Sequence, residues 1–133
     1  MGLVVVDASV VLGLLDPHDM HHASATRALR RVRADGDEII LPASALAEVL
    51  VGASRLGTGA VRTTEAFVDT IIDQVYDIDR PVARSAAVYR SKNNPVRLPD
   101  AFVLAVGAIV NADTVLTADA RWTKVDRRVR VIS

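Results

Sequence analysis

Short apolar runs alternate with longer segments of helical period along almost the whole chain, and this alternation constrains the fold more than any other feature. Leu3 to Val6, Glu38 to Leu41, Val75 to Ile78, Thr114 to Thr117 and Arg130 to Ile132 have the length and composition of strands. A helical pattern follows Asp7 and runs to Leu15, where Asp16-Pro17 breaks it. His21 to Arg33 predicts a second helix, with Ala25, Leu29 and Val32 on one stripe, ending near Gly36. Further helices are predicted over Ser44 to Leu56, which Gly57 closes, over Thr58 to Gln74, and from Pro81 to Lys92 ahead of the breaker Asn93-Asn94-Pro95. Leu98 to Asn111 is apolar almost throughout, and its length makes it a buried helix rather than a strand. Strands separated by helices are joined by right-handed crossovers. The chain therefore reads as a single α/β domain over residues 1–133 with a mainly parallel sheet, and no repeat, linker or low-complexity tract interrupts it.

Composition narrows the function classes. Of the 133 residues 50% are hydrophobic but only 4% aromatic, which predicts an aliphatic core and no aromatic platform for stacking bases. Sixteen basic and sixteen acidic residues cancel, so any contact with nucleic acid must be local. The absence of cysteine excludes disulfides, zinc–thiolate sites and thiol catalysis. The opening MGLVVVDASVVLGLLDP lacks a basic start, is interrupted by Asp7 and is too short to span a bilayer, so a soluble cytoplasmic protein is expected.

Three acids stand where charge is otherwise missing. Asp7 is the only charged residue from Met1 to Leu15, Glu48 the only one from Ile39 to Ser54, and Asp100 the only one from Leu98 to Ala112. An ionised carboxylate is costly to bury without a partner, so each needs a local reason. Asp119 is less isolated but directly follows the strand Thr114 to Thr117. Asp7 and Asp119 lie at the carboxyl ends of strands, where open α/β sheets bind ligands. Glu48 lies about one turn into its helix, with the small residues Ala45 and Gly52 beside it at helical spacing to leave room. Asp113 precedes its strand and falls on the opposite edge.

If the four converge, carboxylates ~4 Å apart repel by about 4 kcal/mol per pair at an effective dielectric near ~20. A divalent cation relieves this, and an all-oxygen donor set favours Mg²⁺ or Mn²⁺ over zinc. Such ions can clamp a phosphodiester and activate water. Singly, Asp7 could cap the next helix, Asp100 could complement its helix dipole and Asp119 could open a helical turn. Glu48 has no comparable structural role, and the four acids at the ends of different elements favour a metal site.

VVVDASVVLGLL, PASALAEVL, RLPDAFVLAVG and VLTADARW together resemble the PIN-domain family in order, spacing and context, from Val4 to Ile132. The resemblance implies a five-stranded sheet of order 3-2-1-4-5 flanked by helices, with Asp77 and Asp79 remote on an edge strand. It implies Mg²⁺- or Mn²⁺-dependent cleavage of RNA by Asp7, Glu48, Asp100 and Asp119, supported by the hydroxyls of Ser9 and Thr117. Chains of this length resemble VapC toxins, which implies a small VapB-like antitoxin partner, an RNA substrate and a homodimer. The helix after Asp100 reads Ala-Phe-Val-Leu-Ala-Val-Gly where many relatives carry a hydroxyl.

Other features are weaker. His18, His21 and His22 have a spacing that could gather a metal, but with no further ligand evident they read as a surface loop and helix start. Arginine outnumbers lysine 14 to 2, and Arg27, Arg30, Arg31, Arg33, Arg55 and Arg62 could contact phosphates or simply form solvated helix faces. Trp122 reads as packing rather than base stacking. A receiver domain would need an acidic pair, an acceptor Asp and a Lys at strand ends, and a haloacid-dehalogenase-type phosphatase would need Asp-x-Asp; neither pattern is present. Metal-free histidine catalysis is disfavoured because the histidines cluster away from the acids. The remaining rival is a catalytically silent PIN module that binds RNA or protein, against which the retention of all four acids argues.

Overall fold

The computed structural model describes residues 2–133. Strands β1 (Leu3–Val6), β2 (Glu38–Pro42), β3 (Gln74–Tyr76), β4 (Thr114–Thr117) and β5 (Val129–Val131) form one sheet in the order β3-β2-β1-β4-β5. Every pairing is parallel, with Val5 opposite both Ile40 and Val115. The sheet is thus wholly rather than mainly parallel, in the strand order that the resemblance implied.

Six α-helices supply the crossovers: α1 (Ala8–Leu15), α2 (His22–Ala34), α3 (Ala43–Leu56), α4 (Thr58–Ile71), α5 (Arg80–Lys92) and α6 (Leu98–Ile109). Right-handed connections put α1 to α4 on one face and α5 and α6 on the other. Both faces are therefore covered near the centre, which explains why Val4, Val5 and Val6 are all buried instead of alternating. Among the described residues, no helix is long and apolar enough to cross a membrane.

Boundaries shift from the sequence expectation where side chains capture the backbone. The helix predicted to Gln74 ends at Ile71, because Asp73 docks on β2. Its amide donates to the Ile39 carbonyl at 2.9 Å and its carboxylate accepts from the Ile39 amide at 2.8 Å. Strand β3 consequently starts at Gln74 rather than Val75. Strand β2 extends through Pro42, opposite Tyr76, so α3 starts at Ala43. Helix α6 stops at Ile109, just before Asn111 adopts a positive φ of 52°. Asp79 caps α5 by accepting from the Val82 amide at 3.1 Å.

The amino edge of the sheet is closed by aspartates in the same manner. Asp37 accepts from the Gly2 amide at 2.7 Å and Asp113 from the Leu3 amide at 2.8 Å. These acids satisfy strand amides that have no neighbour to bond, and their carboxylates are committed to the fold.

Helix α6 lies against β4 with almost no clearance. A Cβ added at Gly107 would sit 2.6 Å from Cγ2 of Val115, a fully buried β-branched side chain with little freedom to move. Gly107→Ala gains helix propensity of about 1 kcal/mol but overpacks the core by about 1–3 kcal/mol. A net loss of about 1 kcal/mol is expected, seen as a lower midpoint in urea with an unchanged m value.

Candidate active site

At the opposite, carboxyl edge the acids are not spent on strand amides. Asp7 leaves β1 at the N-cap position of α1, yet its carboxylate is held by two hydroxyls instead of capping the helix. Ser9 Oγ donates to Oδ2 at 2.8 Å and Thr117 Oγ1 donates to the same oxygen at 3.0 Å. Each hydroxyl also accepts a main-chain amide, from Ala118 to Ser9 at 3.0 Å and from Asp119 to Thr117 at 3.1 Å. The Asp7 amide donates to the Leu116 carbonyl at 2.9 Å. The ends of β1 and β4 are thereby locked around one carboxylate, and neither hydroxyl engages its Oδ1. Ser9 and Thr117 together hold the Asp7 side chain in place.

Asp7 is 8% exposed, and burial pushes its pKa above the ordinary value while the Ser9 and Thr117 hydroxyls oppose that shift. Glu48 on α3 is exposed along its outer side; partial burial, then the charges of Asp7 and Asp100, push its carboxyl up. Asp100, in the first turn of α6, is likewise pushed up, first by burial and also by Asp119, while its bond from the Arg97 amide at 3.2 Å pulls it down. Asp7, Glu48 and Asp100 thus lie within one another's fields. Among the described residues, none of the three is in an ion pair.

Asp119 differs. Arg121 clasps it with Nε at 3.0 Å from Oδ1 and Nη2 at 2.6 Å from Oδ2, and its amide bonds Oδ1 at 2.9 Å. The guanidinium holds Asp119 below the usual carboxylate range. The same residue opens a short 3-10 helix over Ala120–Lys124, so its helical-turn role is present. Sequence reading missed Arg121, which sits in a charged run that resembles a solvated face.

Oxygen donors of this kind suit a hard divalent cation. Among the described residues, no three acidic or histidine side chains are posed to close on a single ion. Two local contacts account for this: the Asp100 carboxylate turns back to the Arg97 amide, and Arg121 occupies Asp119. Both carboxylates also accept main-chain amides, Asp100 from Arg97 and Asp119 from Arg121.

The expected surroundings are met in part. Ala45 is fully buried in the core, and a Cβ added at Gly52 would meet nothing within 4 Å. Trp122 is 1% exposed and packs in the core. His22 Nδ1 donates to the Gly13 carbonyl at 2.8 Å, tying α2 to α1, and His18 and His21 lie in the preceding loop.

A wholly parallel α/β sheet whose unpartnered acids collect at its carboxyl edge defines a class of proteins that place their chemistry at strand ends. The PIN domain family model matches residues 4–128, and the chain belongs to that family. No curated protein sequence matches the chain significantly. Solved structures share its fold. VapBC2 from Rickettsia felis, bound to a DNA fragment from its promoter, superposes with a TM-score of 0.78 at 12% identity over 98% of this chain and 99% of that one. A toxin–antitoxin complex from Klebsiella pneumoniae gives 0.74 at 18% identity, over 98% and 96%. VapC20 from Mycobacterium tuberculosis, described as a Sarcin-Ricin loop cleaving toxin, gives 0.71 at 18% identity, over 91% and 93%.

Two measurements check this electrostatic picture. A raised Asp7 pKa means that the folded protein holds the proton more tightly than the unfolded chain. That stabilisation is complete below the ordinary value of 3.8 and is lost as pH rises through the folded value. In EDTA, Asp7→Asn should therefore be more stable than wild type at pH 7 by about 1 kcal/mol, or ~3–5 °C, with the gain vanishing near the ordinary carboxylate range. By carbon-detected NMR titration, Arg121→Gln should move the Asp119 midpoint upward and leave that of Glu48 in place.

Proposed function

We propose that this protein is a metal-dependent endoribonuclease of the VapC type, the toxin of a toxin–antitoxin pair. The observation that carries the reading is the Asp7 carboxylate, buried at the carboxyl edge, held by Ser9 and Thr117 and without an ion-pair partner among the described residues, with Glu48 of α3 and Asp100 of α6 within its electrostatic reach. Clusters of perturbed acids at strand ends are where catalysis is expected. Membership of the PIN family and the fold shared with VapBC structures support it.

Asp7, Glu48, Asp100 and Asp119 would hold Mg²⁺ or Mn²⁺, and bound ions supply Lewis-acid charge at the phosphodiester and a water of lowered pKa. Ser9 and Thr117 fix Asp7 through Oδ2, so that this ligand needs no reordering when the site is filled. Glu48 lies on the exposed flank of the site, where burial, then Asp7 and Asp100, hold its carboxyl above the ordinary range. Asp100 and Asp119 complete the negative ring, and Arg121 must release Asp119 for it to join.

The partner is a VapB-like antitoxin, as in the toxin–antitoxin complexes that share the fold. An arginine from such a partner could pair with the carboxylates and block substrate at the same point. A homodimer in the cytoplasm completes the reading. One observation favours a catalytically silent PIN module instead: Asp119 is already neutralised by Arg121.

A cleavage assay separates the two. Wild type with Mg²⁺ or Mn²⁺ should cut RNA to leave 5′-phosphate and 3′-hydroxyl ends, EDTA should stop it, and Asp7→Asn should lower the rate at least ~100-fold while remaining folded. Expression of wild type alone should arrest growth and expression of Asp7→Asn should not. Cleavage by Asp7→Asn at the wild-type rate, or 2′,3′-cyclic phosphate ends, would exclude this mechanism.

A further inference from the structure

Two buried side-chain atoms able to hydrogen-bond lack a partner among the described residues, Ser44 Oγ and Trp122 Nε1. A serine hydroxyl turns about its own bond, whereas an indole N–H points only where its ring points. Trp122 is the largest of the fully buried side chains, so the core fixes that direction. Buried indoles ordinarily find an acceptor, and an N–H left without one calls for a reason.

The short 3-10 helix after β4 supplies it. Asp119 stands at its N-cap and Trp122 three residues further on, and at about three residues per turn the two side chains fall on the same side. The Trp122 amide donates to the Asp119 carbonyl at 3.3 Å and closes that turn. After the larger effect of Arg121, the Trp122 side chain also helps hold the Asp119 carboxyl below its ordinary value. The indole N–H thus stands near this carboxylate but outside hydrogen-bonding geometry. Arg121 meanwhile occupies both oxygens, with its amide and Nε on Oδ1 and Nη2 on Oδ2.

The two donors differ in charge and in exposure. The Arg121 side chain is 63% exposed, and a pair so open to water is weak. While it lasts, its charge cancels that of Asp119. The indole is neutral, gives a single bond and is shielded from water. One such bond fixes the carboxylate and leaves its charge and its other lone pairs to a cation.

We infer that Trp122 is a positioning residue of the candidate site, whose indole N–H takes an oxygen of Asp119 when Arg121 lets go and holds that carboxylate ready for a divalent cation. The inference rests on the metal-dependent reading above for what Asp119 binds. It gives Trp122 no contact with substrate.

Trp122 is the sole tryptophan, so a ¹H–¹⁵N spectrum shows one indole peak. In EDTA, Arg121→Ala should move that peak downfield, and Asp119→Ala added to Arg121→Ala should return it upfield. A peak that Arg121→Ala leaves in place, or that the added Asp119→Ala does not return, overturns the inference. This arm keeps Trp122 intact, so it decides even where Trp122→Phe does not fold. Mn²⁺ affinity, read from the EPR signal of the free ion, is the second arm. Removing a bond that orients a metal ligand costs about 10–100-fold in affinity, and Trp122→Phe should show that loss. In the Asp119→Ala background the same substitution should cost nothing further. An equal loss in both backgrounds means that the ring only packs, and the inference fails. If both arms hold while wild type with Mn²⁺ leaves RNA intact, the ribonuclease reading falls and the positioning of Asp119 stands. If wild type cleaves RNA and the peak stays in place, the reverse is true. Wild type that binds no Mn²⁺ overturns both.

Discussion

A single buried carboxylate organises the carboxyl edge of this protein. Asp7 stands where β1 passes into α1, and Ser9 and Thr117, 108 residues apart, converge on its Oδ2. Through their second bonds the same hydroxyls hold the amides of Ala118 and Asp119, so the turn after β4 takes its shape from the side chain that ends β1. The hydroxyl donors make burial tolerable without cancelling it, and the carboxyl remains above its ordinary range.

The two edges of the sheet use acids in opposite ways. At the amino edge Asp37, Asp73 and Asp113 each accept a strand amide, which is structural and leaves little basicity to spare. At the carboxyl edge strand carbonyls point outward, so acids there find no strand amide to accept and repel one another. That edge stores the unfavourable electrostatics that a cation would relieve. It also places Glu48 and Asp100, from helices on opposite faces of the sheet, within reach of the same charge.

Basic residues divide along similar lines. Arg33 and Arg128 are structural, the former closing α4 and the latter binding Asp126, which in turn accepts from Tyr89; burial, and then Asp126, push that phenol up to about 12. Arg121 neutralises one acid of the candidate site in place. Arg27, Arg31 and Arg130 share a groove with Asp35 and Asp37.

By itself the sequence determined the elements and their class, because apolar period and breakers are local properties. It also marked Asp7, Glu48 and Asp100, since a lone charge in an apolar run is visible without any coordinates. The strand order was legible only through family resemblance, and so was the choice of Ser9 and Thr117, which the structure shows donating to Asp7. Local reading placed the end of α4 three residues too late, because the docking of Asp73 on β2 joins positions 34 apart. The clasp of Arg121 on Asp119 was hidden in a charged run, since it depends on the turn geometry after β4. Only tertiary structure decides such contacts, because charges interact through distance in space and the sheet brings together residues that the chain separates.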